Sequence, residues 1–256
     1  MRDLSAGRTT SAAPSVPGRA SQPDDSGPDL SGEAGRRAVS WPEGEPGAVS
    51  GRPELESASA EEVLAYGVER FGARLTLACS FQKEESVLFH MLSQLDPEFH
   101  AFVIDTGVLF PETLATWKRF EERFPEARIE VIDASSPGEP WTQSNCCSAA
   151  KVAGLERALA DVDAWVTGLR REQAPTRAAT PKLEHDERRG IWKLSPLADW
   201  SEKQIWTYVF AHDLPYNPLH DEGYDSIGCA PCTVPGNGRE GRWAGEDKTE
   251  CGIHVV

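Results

Sequence analysis

The sequence predicts an α/β protein built around a parallel sheet. Three observations predict it. Short apolar runs of strand length alternate with periodic runs of about 10 to 14 residues. No motif recurs at a fixed period. No apolar run approaches the roughly 18 residues of a membrane-spanning helix.

Order is expected to begin near Ser59, where Ser59 and Glu62 fit a capping box and Val63, Leu64 and Phe71 follow at helical spacing. Gly72 ends that helix. Leu75 to Cys79 is a short apolar strand, and Ser86 to Leu95 reads as a helix. Ala101–Ile104 is a strand, Pro111–Phe124 a helix with proline in its first turn, and Ile129–Ile132 a strand. Ser148–Leu159 carries Val152, Leu155 and Leu159 on one helical face, and Ala164–Thr167 is the fourth strand. Past Gly168 the alternation breaks. One further helix is expected from about Ser201 to His212, ahead of a loop-rich C-terminal segment ending in a mobile tail at 240–256.

Composition narrows the function. The chain has 256 residues, 26 Lys+Arg against 41 Asp+Glu, and a formal charge of -15. Phosphate contacts along a nucleic acid need a basic face, and anionic membranes need the same, so neither partner is expected. Residues 1–53 predict a disordered tail: Gly, Pro and Ser fill 23 of those positions and no apolar period survives. Residues 54–256 are expected to form one domain. The N-terminus lacks the apolar stretch of a signal peptide.

The cysteines point to chemistry. Cys146 and Cys147 are adjacent, and Cys229 and Cys232 form a Cys-x-x-Cys. Two close pairs of soft ligands suit zinc, an iron–sulfur cluster or a redox disulfide. Neighbouring side chains diverge, so adjacent cysteines serve a single small ion poorly, whereas a cluster with several irons accepts each on a different metal. A four-iron cluster is therefore favoured. The first pair opens a helix, whose N-terminal partial charge favours thiolates, and Lys151 one turn on adds to that field. Cys251 stands alone near the chain end beside Gly252, as either a visiting nucleophile or an inert thiol. Cys79, inside a strand, reads as a packed core residue.

Loops at the carboxyl ends of parallel strands bind anions and nucleotides. Here the first such loop is Ser80–Ser86, with no Walker A run, so either a ligand loop or a plain helix start fits. Asp105-Thr106-Gly107 follows the second strand and suits either a ribose or base contact or a turn. Arg170 and Arg171 follow the fourth strand, and Arg239 and Arg242 stand further on. Singly these arginines read as surface ion-pair partners. Together with Lys151, in an acidic chain, they suggest recognition of phosphate or sulfate.

Asp105-Thr106-Gly107, Cys146-Cys147, Thr167-Gly168-Leu169-Arg170, Ser226 to Thr233, Arg239 to Trp243 and Glu250-Cys251-Gly252-Ile253-His254 together resemble the assimilatory sulfonucleotide reductases. The closest branch is the thioredoxin-dependent adenylyl-sulfate (APS) reductases with a [4Fe-4S] cluster. The resemblance spans about residues 60–256. It implies the adenine-nucleotide α-hydrolase-like fold, with Ser80–Ser86 in place of the pyrophosphate loop of ATP pyrophosphatases. Cys146, Cys147, Cys229 and Cys232 would ligate the cluster. Ser80, Lys151, Arg170, Arg239, Arg242 and His254 would surround the nucleotide and its phosphosulfate, and Cys251 would be the nucleophile. Thioredoxin would be the reductant and the compartment cytoplasmic, since cluster thiolates need reducing conditions. The chain departs from the family at Ala150, where arginine is common, at Gly154-Leu155 in place of Pro-Leu, and in a shortened stretch from Cys232 to Arg239. Competing readings are a tRNA sulfur transferase that consumes ATP, a reductase of the 3′-phosphorylated substrate PAPS, and a non-catalytic metal module.

Overall fold

The computed structural model describes residues 53–135 and 149–243. The strands are β1 (Leu75–Cys79), β2 (His100–Asp105), β3 (Arg128–Asp133), β4 (Ala164–Val166), β5 (Leu183–Asp186) and β6 (Ile191–Leu194), in the order β3-β2-β1-β4-β6-β5. The pairs β3–β2, β2–β1, β1–β4 and β4–β6 are parallel, and only β5 runs antiparallel, against β6. The helices are α1 (Pro53–Glu56), α2 (Ala60–Phe71), α3 (Lys83–Leu95), α4 (Pro111–Arg123), α5 (Ala149–Ala158) and α6 (Glu202–Ala211).

Local chemistry explains most boundaries. Ser59 caps α2 with the expected box, its hydroxyl accepting from Glu62 N at 3.2 Å while Glu62 accepts from Ser59 N at 2.7 Å. Gly72 then stops α2 at φ +51°. Order starts earlier than the cap at Ser59 suggests, because α1 buries Leu55 completely. Helix α3 starts at Lys83 rather than Ser86, since Glu85 accepts from Gln82 N at 2.9 Å and fixes the first turn. Its charged opening reads as loop in the sequence, yet Lys83, Glu84 and Glu85 are all buried.

The hairpin β5–β6 falls in the stretch where the alternation breaks. Each strand has only four residues and several are charged. Pairing resolves the charge: Glu184 lies opposite Lys193, whose Nζ donates to Glu184 Oε1 at 2.6 Å.

Two apolar layers enclose the sheet. On one face Leu155 and Ala158 of α5, with Leu159 just past its end, pack against Phe102, Ile132, Trp165 and Ile191. On the other, Phe89 of α3 meets Phe120 of α4 edge-to-face at 4.9 Å and Phe99 at 5.0 Å. Chain order reverses between β1 and β4. The crevice beyond the carboxyl ends of those two strands is where open α/β sheets hold ligands.

Candidate active site

That crevice is a cleft of about 1040 Å³, open solvent at its mouth included. It is walled by the turn after β1, the segment after β4, the start of α5 and the loops around Cys229 and Arg239.

The turn after β1 is built by an aromatic anchor. Phe81 has φ +57°, a left-handed conformation that side chains rarely adopt. It is fully buried, stacked on Trp117 at 5.3 Å and edge-on to Phe120 at 5.3 Å. That packing offsets a strain of about 1 kcal/mol or more and fixes Ser80 and Gln82 on either side of it. Ser80 Oγ donates to Glu85 Oε2 at 3.0 Å and accepts from Gln82 Nε2 at 3.1 Å. Glu85 is buried at the cleft wall. Burial first, then the adjacent Glu84 charge, push its carboxyl up to about 8.

Of the residues singled out in the sequence, Ser80, Lys151, Arg239, Arg242 and Cys229 all line this cleft. Lys151 reaches it from the first turn of α5, half-buried. Arg239 and Arg242 flank Trp243 at 5.3 and 4.6 Å from its ring. Arg242 is buried and donates from Nη1 to Ser226 Oγ and Ile227 O, both at 3.3 Å. The loop bearing these arginines closes only because Gly241 has no side chain: a Cβ there would lie 2.0 Å from Val234 O.

Arg170 stands beside the cleft, in a buried ion pair. Its Nε donates to Glu84 Oε1 at 2.9 Å and its Nη1 to Trp200 O at 3.3 Å, with both ionic side chains almost wholly buried. Glu84 holds it, and Arg170 lines an adjoining pocket that shares Gln82, Glu84, Gln173, Arg177 and Arg239 with the cleft. Burial alone would raise the Glu84 carboxyl, but the charges of Arg170 and Lys83 outweigh it and hold the group below its ordinary value. Gln173 extends the network. Its Nε2 donates to Glu84 Oε1 at 3.0 Å, and its Oε1 accepts from Arg177 Nη1 at 2.5 Å. Gln173 and Arg177 line the cleft and escaped the sequence reading. They sit in 3₁₀ turns with no period to mark them, and their spacing of four in an Arg-rich segment was the one available signal.

Cys229 and Cys232 are both buried, on a short 3₁₀ turn pinned to β2's outgoing loop by Ala230 N donating to Val108 O at 2.9 Å. Cys229 Sγ lies 3.2 Å from Thr106 Oγ1. A hydrogen bond from Cys232 is the largest influence on the Cys229 thiol. Burial opposes it, while the Lys151 charge, Thr106 and the Arg242 charge add to it and bring the thiol down to about 5. A thiolate in a positive field, beside a second buried sulfur, is a donor set that fits an anionic iron–sulfur group. Cys146, Cys147, Cys251 and His254 lie outside the described residues, as does most of the proposed tail at 240–256. Among the described residues no three metal-ligating side chains gather into one group, and no helix is long and apolar enough to cross a membrane. Cys79 is buried in β1, where burial pushes its thiol well up, as befits a core residue.

Residues 74–235 match the phosphoadenosine phosphosulfate reductase domain. A phosphoadenosine 5′-phosphosulfate reductase of Gloeobacter violaceus is 45% identical over 219 residues, covering 79% of this chain and 91% of that protein. An adenosine 5′-phosphosulfate reductase of Bacillus mycoides is 43% identical over 221 residues, 80% of this chain and 94% of that one. Among solved structures, the phosphate complex of the PAPS reductase from Candida auris aligns over 73% of this chain and 100% of its own, at a TM-score of 0.58 and 27% identity. Candida glabrata FMN adenylyltransferase, at a TM-score of 0.53 and 15% identity over 71% of this chain and 69% of that one, shares the fold alone. The adenine-nucleotide α-hydrolase-like architecture expected from the sequence is the one observed. With most of its length matched by the domain and its relatives, the chain belongs to the phosphoadenosine phosphosulfate reductase domain family.

Proposed function

We propose that this protein reduces adenylyl sulfate to sulfite and AMP, with thioredoxin as electron donor, as the reductive step of sulfate assimilation toward cysteine. One observation carries the reading: Lys151, Arg239 and Arg242 converge on a single cleft at the switch point of a nucleotide-binding sheet, with Cys229 at its edge. With Arg177, four cations line the cleft; of its two carboxyls Glu84 is paired with Arg170 and Glu85 is pushed up to about 8, so in a chain of charge -15 the cleft marks a place for an anion.

The reaction divides into two exchanges at sulfur. The Cys251 thiolate attacks the sulfonate sulfur of the substrate. A Cys–S–SO₃⁻ bond forms, the sulfur–oxygen bond to the nucleotide breaks, and AMP departs with that oxygen and its electron pair. Lys151, Arg239 and Arg242, with His254 joining them, hold the phosphosulfate and offset the charge gathering on the bridging oxygen. One thioredoxin thiolate then attacks the Cys251 sulfur, sulfite leaves, and the second thioredoxin thiol closes a disulfide while Cys251 recovers its thiol. Two electrons pass from dithiol to sulfur. Arg170 serves by fixing Glu84, which accepts from Gln173, and Gln173 in turn accepts from Arg177.

A [4Fe-4S] cluster fits the sulfur pair described above, and Cys146, Cys147, Cys229 and Cys232 would hold it. When bound, it would order the two cysteine segments and shape the field around Lys151. Reduced cluster thiolates and a thioredoxin partner both call for a reducing compartment, the cytoplasm. Reduction of PAPS is the second reading, because the 45% identical relative bears that name.

Anaerobic turnover with thioredoxin separates the readings. APS is expected to give sulfite at least tenfold faster than PAPS, with ATP untouched. Faster turnover of PAPS would reassign the substrate, and ATP consumption would overturn the class of reaction.

A further inference from the structure

We infer that Gln82 is a positioning residue that couples the nucleotide loop after β1 to the cysteine turn, so that filling the cleft and securing the Cys229 end reinforce each other. The inference rests on the reading that the cleft takes an adenine nucleotide and that the cysteines hold an iron–sulfur group.

One side chain makes the link across 145 positions of sequence. Gln82 Oε1 accepts the backbone N–H of Ile227 at 2.7 Å. The other half of the same amide, Nε2, donates to Ser80 Oγ at 3.1 Å. Ile227 is held on its other side too, its carbonyl accepting from Arg242 Nη1 at 3.3 Å. The peptide two residues before Cys229 is thus strung between the β1 loop and a cleft arginine. Gln82 cannot drift, because its own N–H donates to Glu85 Oε2 at 2.9 Å and Phe81 before it is locked by stacking on Trp117.

The requirement is for an amide. Ile227 N–H needs an acceptor and Ser80 Oγ, already donating to Glu85, needs a donor. Only a carboxamide offers both in one plane. A flipped amide would set N–H against N–H, so the orientation is fixed by its partners. A glutamate lacks the donor, and a methionine of similar length lacks both.

Coupling of this kind is reciprocal and typically amounts to about fivefold or more. The test uses the iron-loaded full chain, wild type against Gln82→Met, with AMP as the probe. Two quantities are followed with and without AMP: the rate of iron loss to a chelator, and hydrogen exchange of the peptide spanning 222–233. In the wild type AMP is expected to slow both by about fivefold or more. In Gln82→Met both ratios fall to near one at AMP concentrations that saturate the variant by calorimetry. A merely structural role would speed exchange in the variant with and without AMP alike and leave the AMP ratio intact, which would overturn the inference. Should Gln82→Met fail to fold, the wild type decides by itself: AMP that binds without protecting 222–233 refutes the coupling. AMP that does not bind at all refutes the nucleotide reading and the coupling with it.

Discussion

Gly228→Ala is expected to separate fold from function in this cleft. A Cβ there would lie 2.3 Å from Nη2, 2.5 Å from Cζ and 2.9 Å from Nε of Arg242, all inside van der Waals contact. The obstacle is the end of a flexible side chain, so the fold tolerates Gly228→Ala at about 1 kcal/mol. The guanidinium must move by about 1 Å, giving up its seat on Trp243 and its hold on Ser226 and Ile227. An arginine drawn away from a bound anion forfeits a charge-assisted hydrogen bond of about 1.5–3 kcal/mol. That corresponds to roughly 10- to 150-fold in kcat/KM, at about 1.4 kcal/mol per tenfold. The assay is kcat/KM for APS with thioredoxin, alongside Tm and iron content, for Gly228→Ala, Arg242→Ala and the double variant. If the methyl acts through Arg242, the double variant is no slower than Arg242→Ala alone. Losses that multiply, or a collapse in Tm with unchanged kcat/KM, would refute the reasoning.

Other substitutions probe the charged wall of the cleft. Arg170→Met leaves Glu84 buried without its main partner and should cost about 3–5 kcal/mol in urea unfolding. Adding Glu84→Gln should recover most of that loss, and an equally unstable double variant would argue against a buried ion pair. Glu85 sets a pH dependence. Its carboxyl titrates at about 8 in the folded chain against 4.5 ordinarily, so between those values the folded state keeps a proton that the unfolded state has released. Stability from this group is present below pH 4.5 and is lost as pH rises toward and through 8, by at most about 1.4 kcal/mol per pH unit. Glu85→Gln removes the dependence, so the variant should gain on the wild type from pH 6 to 9 in urea midpoints. Parallel curves would show that Glu85 is ionised throughout.

Period and chemistry made some of this molecule legible before its structure. Strands β1 to β4 and helices α2, α4 and α6 stand within a residue or two of where apolar spacing, Ser59, Gly72 and Pro111 place them. The hairpin β5–β6 was hidden because its burial depends on a cross-strand partner for Lys193, which no local pattern reveals. The start of α3 was hidden for a related reason. Lys83-Glu84-Glu85 falls in a stretch that fits a ligand loop or a helix start equally, and only the fold supplies Glu202, Arg170 and Ser80 to neutralise or bond the three groups. At the site, Lys151, Arg239, Arg242 and Cys229 were readable as types that gather around anions and soft metals. Arg170 shows the limit of that inference. Its position at a strand's carboxyl end was legible, but its pairing depended on Glu84, a residue 86 positions away.

In the proposed reaction the sulfur of Cys251 receives the sulfonate. Incubating the iron-loaded chain with APS in the absence of thioredoxin, then measuring the intact mass and the C-terminal peptide, tests it most directly. The expected result is the added mass of one SO₃ group on the peptide bearing Cys251, released as sulfite by thioredoxin and absent from Cys251→Ser. The same adduct on Cys251→Ser, or sulfite production by that variant at the wild-type rate, would contradict it.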